Sequence, residues 1–291
     1  MTINYSPPGW LDQAEYPFSP HWFRTDAGQM HYVDEGKGPS LIMVHGTPDW
    51  SFGFRNLIKG LTPGYRCIAP DHLGFGLSDK PRGWSYSPRE QAANLSHLIE
   101  SLDLQDITLL VHDFGGPIGL AYAIDHPERV RSLVLMNTWM WSLRGDPHFE
   151  QAARLFGSPL GKLLYLQFGF SARVIMPMAY GDKSKLPTHI HRQYLEPLAT
   201  PDDRAGTWAY ARALVGASDW YDSLWQRREQ IKDKPALILW GVKDPAFREQ
   251  ELSRLESMFS RYRTVRLATT GHFVQEEQPE QACTEIINLL K

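Results

Sequence analysis

The sequence contains very little cysteine: Cys67 and Cys283 are the only two in 291 residues. Two cysteines provide neither a disulfide framework nor a metal-binding motif. Cys67 lies in an apolar run typical of a strand, where a buried thiol is the expected state. The scarcity excludes the disulfide-rich class of small protein and favours a reducing compartment.

Long hydrophobic runs and an excess of charge of one sign are also missing. No apolar run approaches the roughly 20 residues that a membrane span requires. The formal net charge is −3 at pH 7, which gives no electrostatic basis for binding nucleic acid or an anionic membrane. Residues 1–8 lack the basic and apolar regions of a signal peptide. We therefore expect a cytoplasmic protein.

Hydrophobic residues occur instead in short runs bounded by glycine, proline and aspartate. Segments 23–25 and 30–33 read as a hairpin, and segment 89–102 has helical spacing. Because buried strands alternate with helices, we predict an α/β fold with a mostly parallel central sheet flanked by helices. Right-handed crossovers would place the loops after the strands along one edge of the sheet. The predicted buried strands are 41–44, 67–69, 107–111, 132–136 and 236–240.

The pattern changes between about Trp141 and Arg228, where the strand rhythm stops. This region is rich in aromatic residues, has helical spacing and is interrupted by prolines. We interpret residues 141–228 as a helical cap inserted into a core formed by residues 1–140 and 229–291. A cap excludes water from the sheet edge and so strengthens the electrostatic contacts beneath it. An independent helical domain is disfavoured, because the segment is too short and interrupted to build its own core.

Asp113 lies where a predicted strand, a sharp turn and a helix meet. Two glycines and a helical pattern follow it directly. Such a turn presents the nucleophile of α/β hydrolases, where serine is usual. Serine is suited to acyl transfer, whereas a carboxylate displaces a leaving group from a saturated carbon and forms an alkyl-enzyme ester. Taken alone, the segment is also compatible with a plain turn or helix-cap aspartate.

Two later segments supply partners for Asp113, each directly after a strand-like run. Asp244 is the candidate orienting acid, and His272 is the candidate base that activates water. The order of nucleophile, acid and base along the chain is that of α/β hydrolases. Glu276 and Glu277 are alternative acids, although the helix dipole explains acidic residues in a first helical turn.

The loop after the strand at 41–44 supplies the expected oxyanion site. Gly46 lets the backbone approach closely, and the N–H groups of Thr47 and Phe114 are expected to face developing negative charge. His45 is expected to support this loop rather than to react. Thr47, Phe114 and His45 are therefore the predicted oxyanion and leaving-group residues.

Several segments resemble the haloalkane dehalogenases and their epoxide-hydrolase relatives, and together they run through nearly the whole chain. The resemblance implies an α/β-hydrolase fold with Asp113, Asp244 and His272 as its triad. Within the family the chain is most similar to the third subfamily, in which the acid follows the later strand. The alternative acid position, after the earlier strand, is Asn137. The similar segments are 45–52, 69–81, 107–117, 204–208, 240–247 and 271–277.

Two positions depart from the dehalogenase pattern. Dehalogenases hold the leaving halide between two side-chain N–H donors, usually the tryptophan after the nucleophile and, in the most similar subfamilies, the asparagine of an HGNP motif. Here these positions are Phe114, which has no N–H, and Thr47, whose hydroxyl is one rotatable donor. By analogy with an oxyanion-hole donor, each lost contact costs about 10²–10³ in rate. A cap tryptophan such as Trp208 is a candidate substitute.

The leading prediction is cleavage of a carbon–halogen bond in a small apolar haloalkane, with water as co-substrate. Epoxide hydrolysis is the alternative, because the same triad opens the ring if an acid protonates the alkoxide, usually a pair of cap tyrosines. Tyr210 and Tyr180 are the candidates, although buried tyrosines are more often packing residues. Remoter classes are a ligand-binding protein on this scaffold, marked by an eroded triad, and a cofactor-free oxygenase, revealed by oxygen uptake. No metal or nucleotide motif appears, so we predict neither a metal nor another cofactor.

Overall fold

The computed structural model describes residues 6–291. Residues 1–5, part of the stretch used to judge the absence of a signal peptide, lie outside the described residues. The strands are β1 (Pro20–Arg24), β2 (Gln29–Glu35), β3 (Ser40–Val44), β4 (Arg66–Pro70), β5 (Ile107–Asp113), β6 (Val130–Thr138), β7 (Ala236–Gly241) and β8 (Tyr262–Leu267).

Within the described residues these eight strands form one sheet, in the order β1-β2-β4-β3-β5-β6-β7-β8. The pairs β1–β2 and β2–β4 are antiparallel and the remaining pairs are parallel. The expected hairpin is confirmed, since Arg24 pairs with Gln29 across its turn. The predicted fold class, a mostly parallel sheet flanked by helices, is confirmed as well.

The helix predicted over residues 89–102 is present as α2 (Pro88–Ser101), and a series of helices fills the interval between β6 and β7. The division of the chain into a core and a cap at residues 141–228 stays a prediction. In residues 6–291, none of the helices combines the length and the apolar character that crossing a membrane requires. The helices are α1 (Arg55–Leu61), α2 (Pro88–Ser101), α3 (Gly115–Asp125), α4 (Pro147–Gly157), α5 (Pro159–Phe168), α6 (Met176–Ala179), α7 (Thr188–Leu195), α8 (Ala205–Gly216), α9 (Ser218–Gln226), α10 (Glu249–Glu256), α11 (Val274–Glu277) and α12 (Pro279–Leu290).

Helices cover both faces of the sheet, because successive side chains of a strand point to opposite sides. In β3, Leu41 and Met43 pack on the side of α1 and α12, whereas Ile42 and Val44 pack on the side of α2 and α3. All seven side chains of β5 are buried. Burial on both faces explains why the central strands are continuous apolar runs in the sequence.

The parallel arrangement places the ends of several strands at one edge of the sheet. The carboxyl ends of β3, β5, β6, β7 and β8 lie there, as in other open α/β sheets whose ligands bind at this edge. The loops after β3, β5, β7 and β8 carry the residues predicted to act in catalysis. The fold therefore gathers residues that are far apart in the sequence.

Candidate active site

Asp113 ends β5 in a backbone conformation that residues other than glycine seldom adopt. Its φ is +53°, in the left-handed region that aspartate tolerates better than most residues. The Thr138 hydroxyl donates to the Asp113 carbonyl at 2.5 Å and so supports the turn. Gly46 is required opposite, because a Cβ there would lie 2.0 Å from Asp113 Oδ1. The carboxylate is thereby presented between the end of β5 and the loop after β3.

The two oxygens of the Asp113 carboxylate have different surroundings. Thr47 N donates to Oδ1 at 2.8 Å, and the backbone N–H of Phe114 also donates to this carboxylate. Oδ2 faces His272, 3.6 Å from Nε2. Burial raises the pKa of Asp113, and the charge of His272 and the two N–H donors offset that rise only in part.

His272 lies in the loop after β8, between two carboxylates. Its Nδ1 is 2.7 Å from Asp244 Oδ2, whereas its Nε2 is 3.6 Å from Asp113 Oδ2, longer than a hydrogen bond. Burial disfavours the charged imidazole, but the charge and hydrogen bond of Asp244, with the charges of Asp113 and Asp49, raise the pKa of His272 to about 9. At neutral pH the imidazole is therefore protonated on both nitrogens.

Asp244 is held from both sides by groups other than His272. Its Oδ2 accepts from Asn137 Nδ2 at 2.8 Å, and its Oδ1 accepts from Ala246 N at 2.7 Å. The amide of Asn137 also accepts from Gly241 N at 2.7 Å. Asn137, the alternative acid position in the sequence, thus contacts Asp244 directly.

His45 makes its contacts with the backbone. Its Nε2 accepts from His72 N at 2.9 Å, so Nδ1 carries the proton and donates to Gly46 O at 2.7 Å. Burial lowers the pKa of His45 to about 4, although the charge of Asp71 opposes this shift. His45 is therefore neutral and holds the loop that carries Thr47.

Aromatic side chains surround Phe114. Its ring centroid lies 4.8 Å from that of Trp139 and 4.5 Å from that of Tyr210. Trp139 stacks on Phe247 at 5.1 Å, and the Phe247 ring lies 5.8 Å from that of His272. This aromatic wall shields the carboxylates and the imidazole from water. Trp139 is not among the residues predicted from the sequence, although it directly follows β6 at the catalytic edge.

Tyrosines between β6 and β7 approach Asp113. Burial, the neighbouring Tyr221 and the charge of Asp113 raise the pKa of Tyr210. Burial and the same carboxylate also raise the pKa values of Tyr165 and Tyr221. The hydroxyl of Tyr210 is buried and has no hydrogen-bond partner among the described residues. Of the two tyrosines predicted from the sequence, Tyr210 therefore lies beside Phe114, and the charge of Asp113 contributes to its raised pKa.

The other two residues proposed as cap contacts lie in different surroundings. Tyr180 stacks on Phe273 at 5.1 Å, and burial with the charges of Glu276 and Asp49, rather than that of Asp113, raises its pKa. The single N–H of Trp208 donates to the Phe156 carbonyl at 3.1 Å. Because that donor is already used, the structure gives Trp208 no N–H for a leaving group at Asp113.

A buried polar network that no sequence pattern indicated supports the His272 loop. His112, next to Asp113, lies with Nε2 2.9 Å from the His272 carbonyl. Gln275 Nε2 is 3.1 Å from His112 Nδ1, which fixes the proton of His112 on Nε2. Glu276 pairs with Arg55 and Tyr194, and Glu277 accepts backbone N–H groups. Neither glutamate occupies the place of Asp244 beside His272 Nδ1.

Comparison with known families and sequences gives consistent matches over the whole chain. A family model described as the alpha/beta hydrolase fold matches residues 39–279. The chain is 34% identical to haloalkane dehalogenase 2 of Mycobacterium tuberculosis (strain ATCC 25618 / H37Rv), over 99% of each sequence. It is 31% identical to the cis-3-alkyl-4-alkyloxetan-2-one decarboxylase of Shewanella oneidensis, over 93% of this chain and 87% of that protein.

Solved structures of similar fold include the haloalkane dehalogenase DatA from Agrobacterium tumefaciens C58. It superposes with a TM-score of 0.84 at 25% identity, covering 94% of this chain and 96% of DatA. The haloalkane dehalogenase DbeA from Bradyrhizobium elkani USDA94 gives a TM-score of 0.84 at 24% identity, over 94% of this chain and 99% of DbeA. At 24% identity, the match to DbeA shows a similar fold only.

Proposed function

The chain belongs to the alpha/beta hydrolase family and, within it, to the haloalkane dehalogenase-like proteins, and on that premise we propose that it hydrolyses the carbon–halogen bond of a small apolar haloalkane. The observation that carries the proposal is the constellation of Asp113, His272 and Asp244. His272 Nδ1 is 2.7 Å from Asp244 Oδ2. His272 Nε2 is 3.6 Å from Asp113 Oδ2, whereas Thr47 N donates to the other oxygen, Oδ1. Water is the second substrate, and the reaction as proposed needs no cofactor.

In the first step Asp113 Oδ2 attacks the saturated carbon. Oδ1 is engaged by Thr47 N at 2.8 Å, so Oδ2 is the oxygen available to form the new bond. The carbon–halogen bond breaks, and the halide leaves with its electron pair. The carboxylate becomes an alkyl ester and loses its negative charge.

In the second step water opens the ester. The charge of Asp113 contributes to the raised pKa of His272, so esterification lowers that pKa and favours a neutral imidazole. His272 then takes a proton from water, whose oxygen attacks Cγ of the ester, while the N–H groups of Thr47 and Phe114 stabilise the oxyanion. The proton that the imidazolium gives up after esterification goes to solvent and is the one proton released in the cycle. The bond from the ester oxygen to Cγ breaks, and the newly formed imidazolium protonates the departing alkoxide oxygen. The proton left on the new Asp113 carboxyl group passes to His272, which restores the carboxylate and the imidazolium.

Opening of a strained oxygen ring, as in an epoxide, is the second candidate. The orphaned Tyr210 hydroxyl favours it, because ring opening leaves an alkoxide that such a donor can bind and protonate. One relative is named for a cis-3-alkyl-4-alkyloxetan-2-one, which is also a strained ring with its oxygen on a saturated carbon. The same Asp113 attack applies to these substrates, with oxygen in place of halide as the leaving atom.

The cap assigned to residues 141–228 and a cytoplasmic location are parts of the proposal. The cap is supported by Tyr165, Tyr210 and Tyr221, which come from helices between β6 and β7 and lie within the influence of Asp113. The location is supported by Cys67 and Cys283, which are both free thiols.

Bromide release from short primary bromoalkanes tests the proposal, because bromide is a better leaving group than chloride. We expect Asp113→Ala to lower release by at least roughly 10³-fold, as for other covalent nucleophiles. Asp219→Ala is the matched control, since Asp219 is 88% exposed and pairs with Arg144 at the surface. Release that persists in Asp113→Ala would contradict the proposal.

The ester is tested directly with His272→Phe. We expect mass spectrometry to find the alkyl group on the peptide that contains Asp113, because displacement proceeds while hydrolysis stops. In a single turnover of the wild type in heavy-oxygen water, the label should enter the Asp113 carboxylate and not the alcohol. Label in the alcohol would show direct attack of water on the substrate. Ester formation from epoxides without bromide release would favour the second candidate.

A further inference from the structure

The indole N–H of Trp139 is a buried donor without an acceptor among the described residues. Trp139 is completely buried, and buried N–H groups in native proteins nearly always have a partner, so an orphan calls for an explanation. Its ring packs on Phe114 at 4.8 Å and on Phe247 at 5.1 Å. An aromatic face is a much weaker acceptor than a carbonyl or an anion.

The backbone places Trp139 beside the nucleophile. In the parallel pairing of β5 with β6, Asp113 is opposite Thr138, the residue directly before Trp139. The Thr138 hydroxyl donates to the Asp113 carbonyl at 2.5 Å, which fixes the two strand ends to each other. Trp139 therefore contacts Phe114 because it leaves the sheet next to the turn that carries Asp113.

Two further orphan donors belong to residues next to Phe114 and Asp113. The Tyr210 hydroxyl and Thr47 Oγ1 are buried without partners among the described residues. The Tyr210 ring lies 4.5 Å from Phe114, and the backbone N–H of Thr47 donates to Asp113 Oδ1 at 2.8 Å. Three unpartnered donors therefore belong to residues that contact Phe114 or Asp113, a setting that is suited to an anion.

We propose that Trp139 Nε1–H is the principal donor to the leaving halide, with the hydroxyls of Tyr210 and Thr47 completing the site around Phe114. The role in catalysis rests on the proposed function, because the halide must leave from a carbon that Asp113 attacks. The indole reaches the site from the end of β6, and so supplies an N–H that neither Phe114 nor the Thr47 side chain can provide. The preferred leaving group is a halide, which accepts from an N–H without needing a proton.

Halide binding is tested without any reaction. Crystals of the protein soaked in sodium bromide and measured at the bromine absorption edge locate bromide by its anomalous signal. We expect a bromide ion within hydrogen-bond distance of Trp139 Nε1. Bromide that binds near Asp113 but away from Nε1, or no bromide in the site, would overturn the proposal whether or not the protein turns over haloalkanes.

The catalytic half is tested with Trp139→Phe, which removes the N–H and keeps an aromatic ring. Trp141→Phe is the matched control, because Trp141 is also buried but packs on Trp225 and Arg254. We expect Trp139→Phe to slow the first-turnover burst of bromide release by about 10²–10³-fold, as for loss of one oxyanion donor. The rate of ester hydrolysis should be unchanged, which a general structural defect would not allow.

Three results separate the possible failures. A larger loss with chloroalkanes than with iodoalkanes in Trp139→Phe supports the proposal, because chloride depends more on a donor to leave. Equal burst rates in Trp139→Phe and Trp141→Phe overturn it while leaving the Asp113 mechanism intact. Bromide release that does not require Asp113 defeats the proposed function instead, and the bromide soak then decides the binding site alone.

Discussion

The position of His272 depends on Asn137 as well as on Asp244. Asn137 has a φ of +30°, a left-handed conformation that asparagine tolerates. Its amide donates to Asp244 Oδ2 and also bonds both backbone polar groups of Gly241. Asn137 therefore connects the ends of β6 and β7. It also donates to Asp244 Oδ2, the oxygen that accepts from His272 Nδ1. It acts on the reaction through Asp244, as a positioning residue.

Replacing this donor with an acceptor should slow ester hydrolysis selectively. In Asn137→Asp a second carboxylate would face Asp244 Oδ2, so repulsion would displace the group that orients the base. We expect hydrolysis of the Asp113 ester to slow by up to about 10²-fold, and the free energy of unfolding to fall by roughly 1–3 kcal/mol. The bromide burst should stay unchanged. Rapid-quench kinetics and urea denaturation measure the two effects.

Asn288→Asp provides the control for this prediction, because Asn288 is exposed in α12. It adds the same charge away from the site and should not change the rate of ester hydrolysis. Because Asn288 lies in the last turn of α12, the new charge should lower the free energy of unfolding by less than about 1 kcal/mol, through the helix dipole. If Asn137→Asp hydrolysed the ester as fast as wild type, Asp244 would not need Asn137 for orientation.

The sequence predicted the three triad candidates, but not the residues that pack against them or hold them in position. Asp113, Asp244 and His272 each follow an apolar run, and strand ends of a parallel sheet share one edge. Trp139 and Asn137 also follow such a run, but their contacts depend on how β6 packs against β5 and β7. Local spacing contains no information about which ring or amide meets which neighbour across the sheet.

At the level of elements, Glu277 joins the His272 loop to the segment between α6 and α7. Its Oε1 accepts from Gly271 N at 2.8 Å and from Gly181 N at 3.2 Å. Its Oε2 accepts from Asp182 N at 2.8 Å. In addition, His272 N donates to the Ala179 carbonyl at 2.8 Å. One carboxylate thus fixes the segment before α7 against the loop that carries the base.

The helix dipole was expected to explain why Glu276 and Glu277 are acidic. In the structure both carboxylates instead make specific contacts with distant parts of the chain. The helix that begins here, α11, has only four residues. Glu277 reaches backbone groups that are 96 and 95 residues away in the chain. Contacts over such separations follow from the tertiary fold, so no local pattern indicated them.

Glu277→Gln should loosen this junction. The amide nitrogen of glutamine cannot accept, so at least one of the three backbone N–H groups loses its partner, and the remaining bonds lose their charge-assisted character. We expect the free energy of unfolding to fall by about 1–3 kcal/mol, measured by urea denaturation. Glu280→Gln, at an exposed position in the first turn of α12, is the control and should lower it by less than about 1 kcal/mol, through the helix dipole alone. Equal stability of the two variants would show that Glu277 does not hold the junction.

At the scale of the whole molecule, folding buries the imidazole of His272 between the carboxylates of Asp244 and Asp113, which come from distant segments. His272 and Asp244 meet only when β7 and β8 pair, and Asp113 joins them through β5. Folding favours the charged form of His272, because these carboxylates surround the imidazole in the folded state. The pKa of His272 is therefore higher in the folded than in the unfolded protein. Global stability therefore depends on the pH at which His272 releases its proton.

The protein should lose stability as the pH rises from 6.5 to 9. The pKa of His272 rises on folding from 6.5 to about 9, so its contribution is complete below pH 6.5 and is lost as the pH passes through 9. Asp49 acts in the same direction up to pH 8, because burial raises its pKa to about 8. We expect the free energy of unfolding to fall by up to about 3 kcal/mol from the His272 contribution. Urea denaturation across this range measures the fall.

His272→Gln separates the two contributions, because it removes the imidazole and leaves Asp49 in place. Its free energy of unfolding should fall less than that of the wild type between pH 8 and 9, where Asp49 completes its ionisation and His272 accounts for most of the wild-type fall. His189→Gln, at an exposed histidine in α7, should retain the wild-type slope. A wild-type slope in His272→Gln would mean that the buried imidazolium, with Asp113 and Asp244 around it, does not stabilise the fold.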